Sequence, residues 1–197
     1  MWDKRYSDPE FYYGTAPNDY LKAKAALLPP HARVLSLGEG EGRNALYLAS
    51  LGCEVVALDQ SPVGLAKAKN LCLAAGFSLD TIAMDLADYR FVPNEWDAIT
   101  SIWCHLPSDL RRQVHAQVAA SLKPGGLFIL ECYRPEQIAL ATGGPKEVDL
   151  LPSLAELSED LRSLSLLECQ AVERIVMEGR GHHGLSAVNQ ILARRLT

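Results

Sequence analysis

An open, mostly parallel, doubly wound α/β sheet is the fold class that this sequence predicts. Three observations predict it. From residue 33 to about 133, short apolar runs alternate with helical ones, the pattern of parallel strands joined by right-handed crossovers. The first run ends in glycines at 38, 40 and 42 just before a helical pattern, where such sheets bind ligands beyond the carboxyl ends of their strands. Near the end, β-like segments at about 166–177 and 185–195 flank the joint "GRGHHG", which predicts a hairpin and a last strand antiparallel to its neighbour.

Each element has its own signature. "RVLSL" reads as the first strand and "RNALYLASL" as a helix stopped at Gly52, a residue suited to a left-handed cap. "CEVVALD" is the second strand. "SPVGLAKAKNLCLAAG" is a helix with Ser61 as N-cap, Pro62 in the first turn and Gly76 past its end. "SLDTIAM" and "WDAITSIW" are the third and fourth strands. In "PSDLRRQVHAQVAASL" the residues Leu110, Val114, Val118 and Leu122 form one apolar stripe. Lys123-Pro124-Gly125-Gly126 should break that helix before "LFILECY", the fifth strand. A further helix, "SLAELSEDLRSL", precedes the hairpin, which brings the sheet to seven strands. The whole chain is expected to form one domain: residues 1–32 an aromatic appendage, 33–133 the core and 134–197 the C-terminal helix and hairpin.

Composition narrows the function classes. The chain of 197 residues is 48% apolar and 22% charged, a globular profile. A net charge of −5 without any Lys/Arg run argues against nucleic acid or an acidic membrane as a partner. The start lacks the apolar core of a secretory signal, and no apolar stretch is long enough to span a bilayer. Five scattered cysteines with no CxxC pair predict reduced thiols rather than a disulfide frame or a zinc site. The expectation is a soluble, cytoplasmic protein, a monomer or weak dimer without a bound metal.

The glycine loop carries the chemistry. A dinucleotide fingerprint needs glycine at 38, 40 and 43, but position 43 is Arg, so the spacing is GxGxG. Asp59 ends the second strand, where an acid binds ribose hydroxyls of NAD and other adenosine ligands alike. Glu39 and Glu41 do discriminate. A pyrophosphate in the loop would face like charge, on the order of 4 kcal/mol for one pair at about 4 Å and an effective dielectric of about 20. A net-positive ligand would be favoured there. The alternative is that both glutamates point to solvent.

The segments "VLSLGEGEGRNALYLASLGCEVVALDQSPVGLAKAK", "MDL", "WDAITSIWCHLP" and "LKPGGLFILE" resemble class I S-adenosylmethionine-dependent methyltransferases, which have a Rossmann-like fold. Within that family the chain resembles the small-molecule branch that includes tellurite-resistance and thiopurine methyltransferase-like proteins. The resemblance implies that Gly38 and Gly40 line the methionine end of S-adenosyl-L-methionine, that Asp59 holds the ribose with Gln60 beside it, and that Asp85 and Leu86 meet the adenine edge. It also implies a small-molecule methyl acceptor, such as a thiol or metalloid oxyanion. The family has an acid two residues before the first glycine, where this chain has Ser36. Either water bridges to the cofactor's ammonium group, or Glu39 supplies the charge while Glu41 adds only to the field. Two rival readings are a non-catalytic or regulatory adenosine-nucleotide-binding module and a nicotinamide-dependent oxidoreductase, the latter disfavoured by Arg43 and the acidic loop.

Methyl transfer is an in-line displacement, so positioning dominates, and only an acceptor that arrives protonated needs a base. His105, just past the fourth strand, is the candidate base; its alternative is a packing role before Pro107. Trp103 is either a pocket wall or core. Trp2, Tyr6, Tyr12 and Tyr13 form either a lid that excludes water or a clamp for the N-terminus, with Tyr6 and Tyr13 as acceptor contacts. Arg180, His182 and His183 in the predicted turn are either an anion-recruiting rim for the acceptor or a solvated loop.

Overall fold

Successive side chains of a strand point to opposite faces of the sheet, and in this protein both faces are apolar. On β1 (Arg33–Leu37), Val34 joins one buried layer while Leu35 and Leu37 join the other. β2 (Glu54–Asp59) divides its residues the same way, Val55 and Ala57 against Val56 and Leu58. Two buried faces require helices on both, which is the doubly wound arrangement. Fully burying one such side chain contributes about 1.5–3 kcal/mol, so the layers fix both register and face.

The computed structural model describes residues 2–196. β3 (Asp80–Ala83), β4 (Trp96–Ile102), β5 (Leu122–Tyr133), β6 (Ser165–Glu178) and β7 (His182–Arg194) complete a sheet of order β3-β2-β1-β4-β5-β7-β6. β1 to β5 pair in parallel, and β7 runs antiparallel to both of its neighbours. The helices are α1 (Trp2–Tyr6), α2 (Asp19–Lys24), α3 (Arg43–Ser50), α4 (Pro62–Ala74), α5 (Ser108–Ser121), α6 (Gln137–Leu140) and α7 (Leu154–Asp160). Residues of α2, α3 and α4 pack into one layer, and those of α5 and α7 into the other. The Ser61 hydroxyl accepts from the Gly64 amide at 3.0 Å to start α4, and Ser153 with Glu156 forms a capping box on α7.

The chain reverses its winding at β1, between β2 and β4, and the crevice beyond the carboxyl ends of these strands is where such sheets bind ligands. Three expectations are corrected in detail. The third strand is limited to Asp80–Ala83. Lys123–Gly126 ends α5 but does not precede β5: Leu122 pairs with Trp96, and the turn residues are absorbed where the register shifts before Leu127 meets Ala98. The hairpin strands extend further than their apolar runs, so His182 and His183 begin β7 and only residues 179–181 turn. Glu178 pairs with His182, and that closing pair takes the histidines out of the turn.

Candidate functional site

The turn from β1 into α3 needs its glycines. Gly38 has φ +62°, and a Cβ there would lie 2.9 Å from the Cys104 sulfur after β4. Gly42 has φ +94°, and a Cβ there would lie 2.5 Å from Cα of Ala68, so this glycine lets α4 press against the loop. Beyond the turn opens a cavity of about 660 Å³, lined by the carboxyl ends of β1, β2 and β4, by the N-terminal segment and by the loop around Gly143 and Gly144.

Two carboxylates at its floor have only neutral donors. Glu39 is buried; it accepts from the amides of Asn44 (3.1 Å) and Ala45 (2.9 Å) at the start of α3 and from the Ser36 hydroxyl. Asp59 is buried and accepts from the amides of Gly40 (2.9 Å) and Ser61 (2.8 Å). The cations nearby are engaged elsewhere: Arg43 with Glu178, Lys67 with Glu41, Arg180 with Asp8, and Arg5 with the Tyr13 hydroxyl and the Trp2 and Tyr12 rings. Burial raises the carboxyl pKa of both Glu39 and Asp59, and these hydrogen bonds offset only part of that shift. A cationic ligand would relieve the penalty, whereas a phosphate would increase it.

Glu41 departs from expectation. It is buried, with one oxygen accepting from the amides of Tyr12 (2.8 Å) and Tyr13 (3.4 Å) and the other paired with Lys67 at 2.6 Å. It therefore ties the N-terminal segment down over the cavity. Tyr6 is buried against Gly40 and Gly64, with its hydroxyl 2.7 Å from where a Gly40 Cβ would stand. Trp2, Arg5, Tyr12 and Tyr13 line the mouth, with the Arg5 guanidinium over the rings of Trp2 and Tyr12 and donating to the Tyr13 hydroxyl at 2.7 Å. The segment is at once clamp and wall.

Most of the expected residues converge on this cavity: Gly38, Glu39, Asp59, Gln60, Asp85, Leu86, Trp103, His105, Tyr6, Tyr13, Arg180 and His182 line it. Ser36 and Gly40 do not. Ser36 lies beneath the loop and orients Glu39, and Gly40 is covered by Tyr6. Tyr6 stands over the glycine loop and raises no wall at the opposite end. Arg180 is exposed and held by Asp8 at 2.8 Å, so its charge is largely spent at the rim. His182 is buried, which overturns the solvated-loop alternative for it, while His183 is exposed.

Trp103 follows β4 with φ +57°, a strained conformation for a bulky residue. Its indole N–H donates to Glu178 at 2.5 Å. Glu178 also receives Arg43 and Asn18, and Asn18 reaches Glu131, which is paired with Arg174 at 2.6 Å. This buried network joins the N-terminal segment, α3, β5 and the hairpin beneath Trp103. Sequence reasoning missed it. The one available signal was Glu131, an acid inside the otherwise apolar run "LFILECY". The Cys104 thiol is pushed up to about 12 by burial, which removes it as a nucleophile. His105 bonds through Nδ1 to the Leu150 carbonyl at 3.2 Å, and burial pulls its pKa down to about 4.

Residues 34–126 match the model of the methyltransferase domain family. A ubiquinone biosynthesis O-methyltransferase of Xanthomonas campestris pv. campestris is 33% identical over 140 residues, covering 68% of this chain and 57% of that protein. The chain thus spans little more than half the length of the curated relatives it matches. Among solved structures, TehB from Haemophilus influenzae superposes with a TM-score of 0.75 at 20% identity, over 99% of this chain and 67% of that one. The CcbJ methyltransferase from Streptomyces caelestis gives 0.73 at 21% identity, over 100% and 97%. Among the described residues, no helix is long and apolar enough to cross a membrane. The strand order and the glycine-loop cavity agree with these matches: residues 34–126 carry the match to the methyltransferase domain family, whose cofactor is S-adenosylmethionine, on the Rossmann-like methyltransferase fold.

Proposed function

We propose that the protein transfers a methyl group from S-adenosylmethionine to a small-molecule acceptor. One observation carries this reading: two buried carboxylates that hold only neutral donors, on either side of a glycine turn at the sheet's switch point. When bound, S-adenosylmethionine supplies an electrophilic methyl on a sulfonium. The chain's own residues bind and orient. Asp59 keeps its carboxylate beside the turn for the ribose hydroxyls, and Asp85 and Leu86 bound the far end, with Asp85 accepting from the Ala87 amide at 2.9 Å. Glu39, held by Ser36, takes the place of the acid that the resembling family has at position 36 and receives the ammonium group. The N-terminal segment, tied by Glu41, excludes water.

The resemblance to tellurite-resistance and thiopurine methyltransferase-like proteins points to a thiol or metalloid oxyanion as acceptor, while the name of the Xanthomonas relative is that of an O-methyltransferase. The N-terminal segment, core and hairpin act as one unit, because all three enter the network around Glu178. The test is ligand-dependent melting. At about 100 times its dissociation constant a ligand stabilises by about 2.7 kcal/mol, and each kcal/mol raises the melting temperature of a domain this size by about 2–4 °C. S-adenosylmethionine and its demethylated product should each give a clear shift. A larger shift with NADH overturns the proposal, as does binding without transfer to any acceptor.

A further inference from the structure

The end of the cavity away from the glycine loop is built of rings. Tyr13 stacks on His182 (4.7 Å, 21° between planes) and His182 stacks on Trp103 (4.8 Å, 26°). Trp103 packs against Tyr133 (4.4 Å, 31°), and the His105 ring lies parallel to Tyr133 at 5.6 Å and 7°. Four distant chain segments thus contribute to one aromatic wall, and Tyr13, Trp103, His105 and His182 border the cavity directly. Burial disfavours the charged form of both histidines. His182 is bonded through Nδ1 to the Tyr133 hydroxyl at 2.8 Å, and burial holds its pKa well below the usual imidazole range.

His105 has a fixed tautomer. A carbonyl oxygen can only accept, so Nδ1 carries the proton donated to Leu150 and Nε2 carries the lone pair. That Nε2 is buried and has no hydrogen-bond partner among the described residues. A buried acceptor without a donor is costly; the His105 ring borders the cavity, and a ligand that displaces the wall far enough to donate to Nε2 removes that cost.

We propose that the acceptor methylated here is a planar, uncharged ring bearing a hydroxyl group, bound along this wall with its O–H donated to Nε2 of His105; the proposal rests on the methyl-transfer reading above. A thiolate or a carboxylate has no proton to donate and would face the lone pair, and the guanidiniums that border the cavity are engaged: Arg43 and Arg180 with carboxylates, Arg5 with the Tyr13 hydroxyl and the rings of Trp2 and Tyr12. A neutral arylamine attacks through its own lone pair and sheds its proton afterwards, so it gains least from a fixed base. A hydroxyl gains most. In the transfer, the acceptor's O–C bond forms as the S–C bond breaks, with that electron pair left on sulfur. The hydroxyl proton passes to Nε2, and the imidazolium then releases it to water.

The test uses labelled S-adenosylmethionine at neutral pH with 1-naphthol, 1-naphthylamine, benzenethiolate, benzoate and tellurite as acceptors. Naphthol should be methylated best. His105→Ala should lower that rate on the order of 10²–10⁴-fold while leaving affinity for S-adenosylhomocysteine, read by calorimetry, within about twofold. His105→Gln, which keeps an acceptor of similar reach but no basic nitrogen, should retain naphthol affinity and lose turnover. Preference for thiolate, carboxylate, tellurite or amine over naphthol overturns the proposal, as does naphthol turnover that His105→Ala leaves intact. If no acceptor on the panel is methylated while S-adenosylhomocysteine binds, the proposal also falls. If S-adenosylhomocysteine itself does not bind, the parent reading falls instead.

Discussion

The two ends of the cavity are built on opposite principles. The glycine-loop end comes from two short stretches, 36–44 and 58–60, and concentrates negative charge: Glu39 and Asp59 are buried and accept hydrogen bonds from neutral donors alone. The far end is assembled from Tyr13, Trp103, His105, Tyr133 and His182, which lie far apart in sequence, and its surface is made of rings rather than carboxylates. The first end is preorganised by backbone amides and therefore depends on turn geometry. The second is preorganised by stacking and by one strained residue, and therefore depends on what lies underneath. On the proposed reading, cofactor and acceptor are selected by different physics, by field at one end and by shape and one lone pair at the other.

The comparison can be broken most severely at the turn. Gly42→Ala places a methyl against the Ala68 backbone at a positive φ, which should cost roughly 2–5 kcal/mol and lower the melting temperature accordingly. Chemical denaturation would measure this, and a change under 1 kcal/mol would show that α4 yields (roughly the scatter of a surface substitution).

Asp59→Asn and Glu39→Gln sharpen the electrostatic half. Each should weaken S-adenosylmethionine by about 1.5–3 kcal/mol, at least tenfold. Glu39→Gln should spare 5′-methylthioadenosine, which lacks the amino-acid end, and an equal loss for both ligands would remove Glu39 from the ammonium. Stability should move the other way. Burial raises the carboxyl pKa of Asp59 in the folded protein, so the stability it confers is complete below the ordinary carboxylate range and is lost as pH rises through the raised value. At pH 7 the ligand-free Asp59→Asn variant should therefore be at least as stable as the parent, and the gap should close on acidification. A parent that gains on the variant as pH rises contradicts the assignment.

Lys67→Ala is the mildest probe. Lys67 pairs with Glu41 and donates to the carbonyls of Asp8 and Glu10, both at 2.8 Å, so it holds the N-terminal segment without touching the acceptor wall. Its loss should cost about 1 kcal/mol and speed cofactor dissociation several-fold, visible by stopped-flow, with acceptor preference unchanged. Altered preference would mean that the two ends are coupled through the segment.

Local pattern determined a good deal of this protein. The seven strands, the cap at Ser61, the turn at 38–42 and the acid at Asp59 are legible because each depends on residues within a few positions of one another: hydrophobic period, cap chemistry, and glycines at an interval that only a tight turn explains. Tertiary structure decided the rest. Nothing beside Glu41 in the sequence says that it binds the amides of Tyr12 and Tyr13, and nothing near Glu178 says that it supports Trp103. His182, which reads locally as a turn residue, is buried because the hairpin closes at Glu178 and Tyr13 arrives from the other end of the chain. Local sequence encodes dihedral preference and which face is apolar. Which buried charge meets which donor depends on strands that pair across more than a hundred residues, and that is settled only when the sheet is complete.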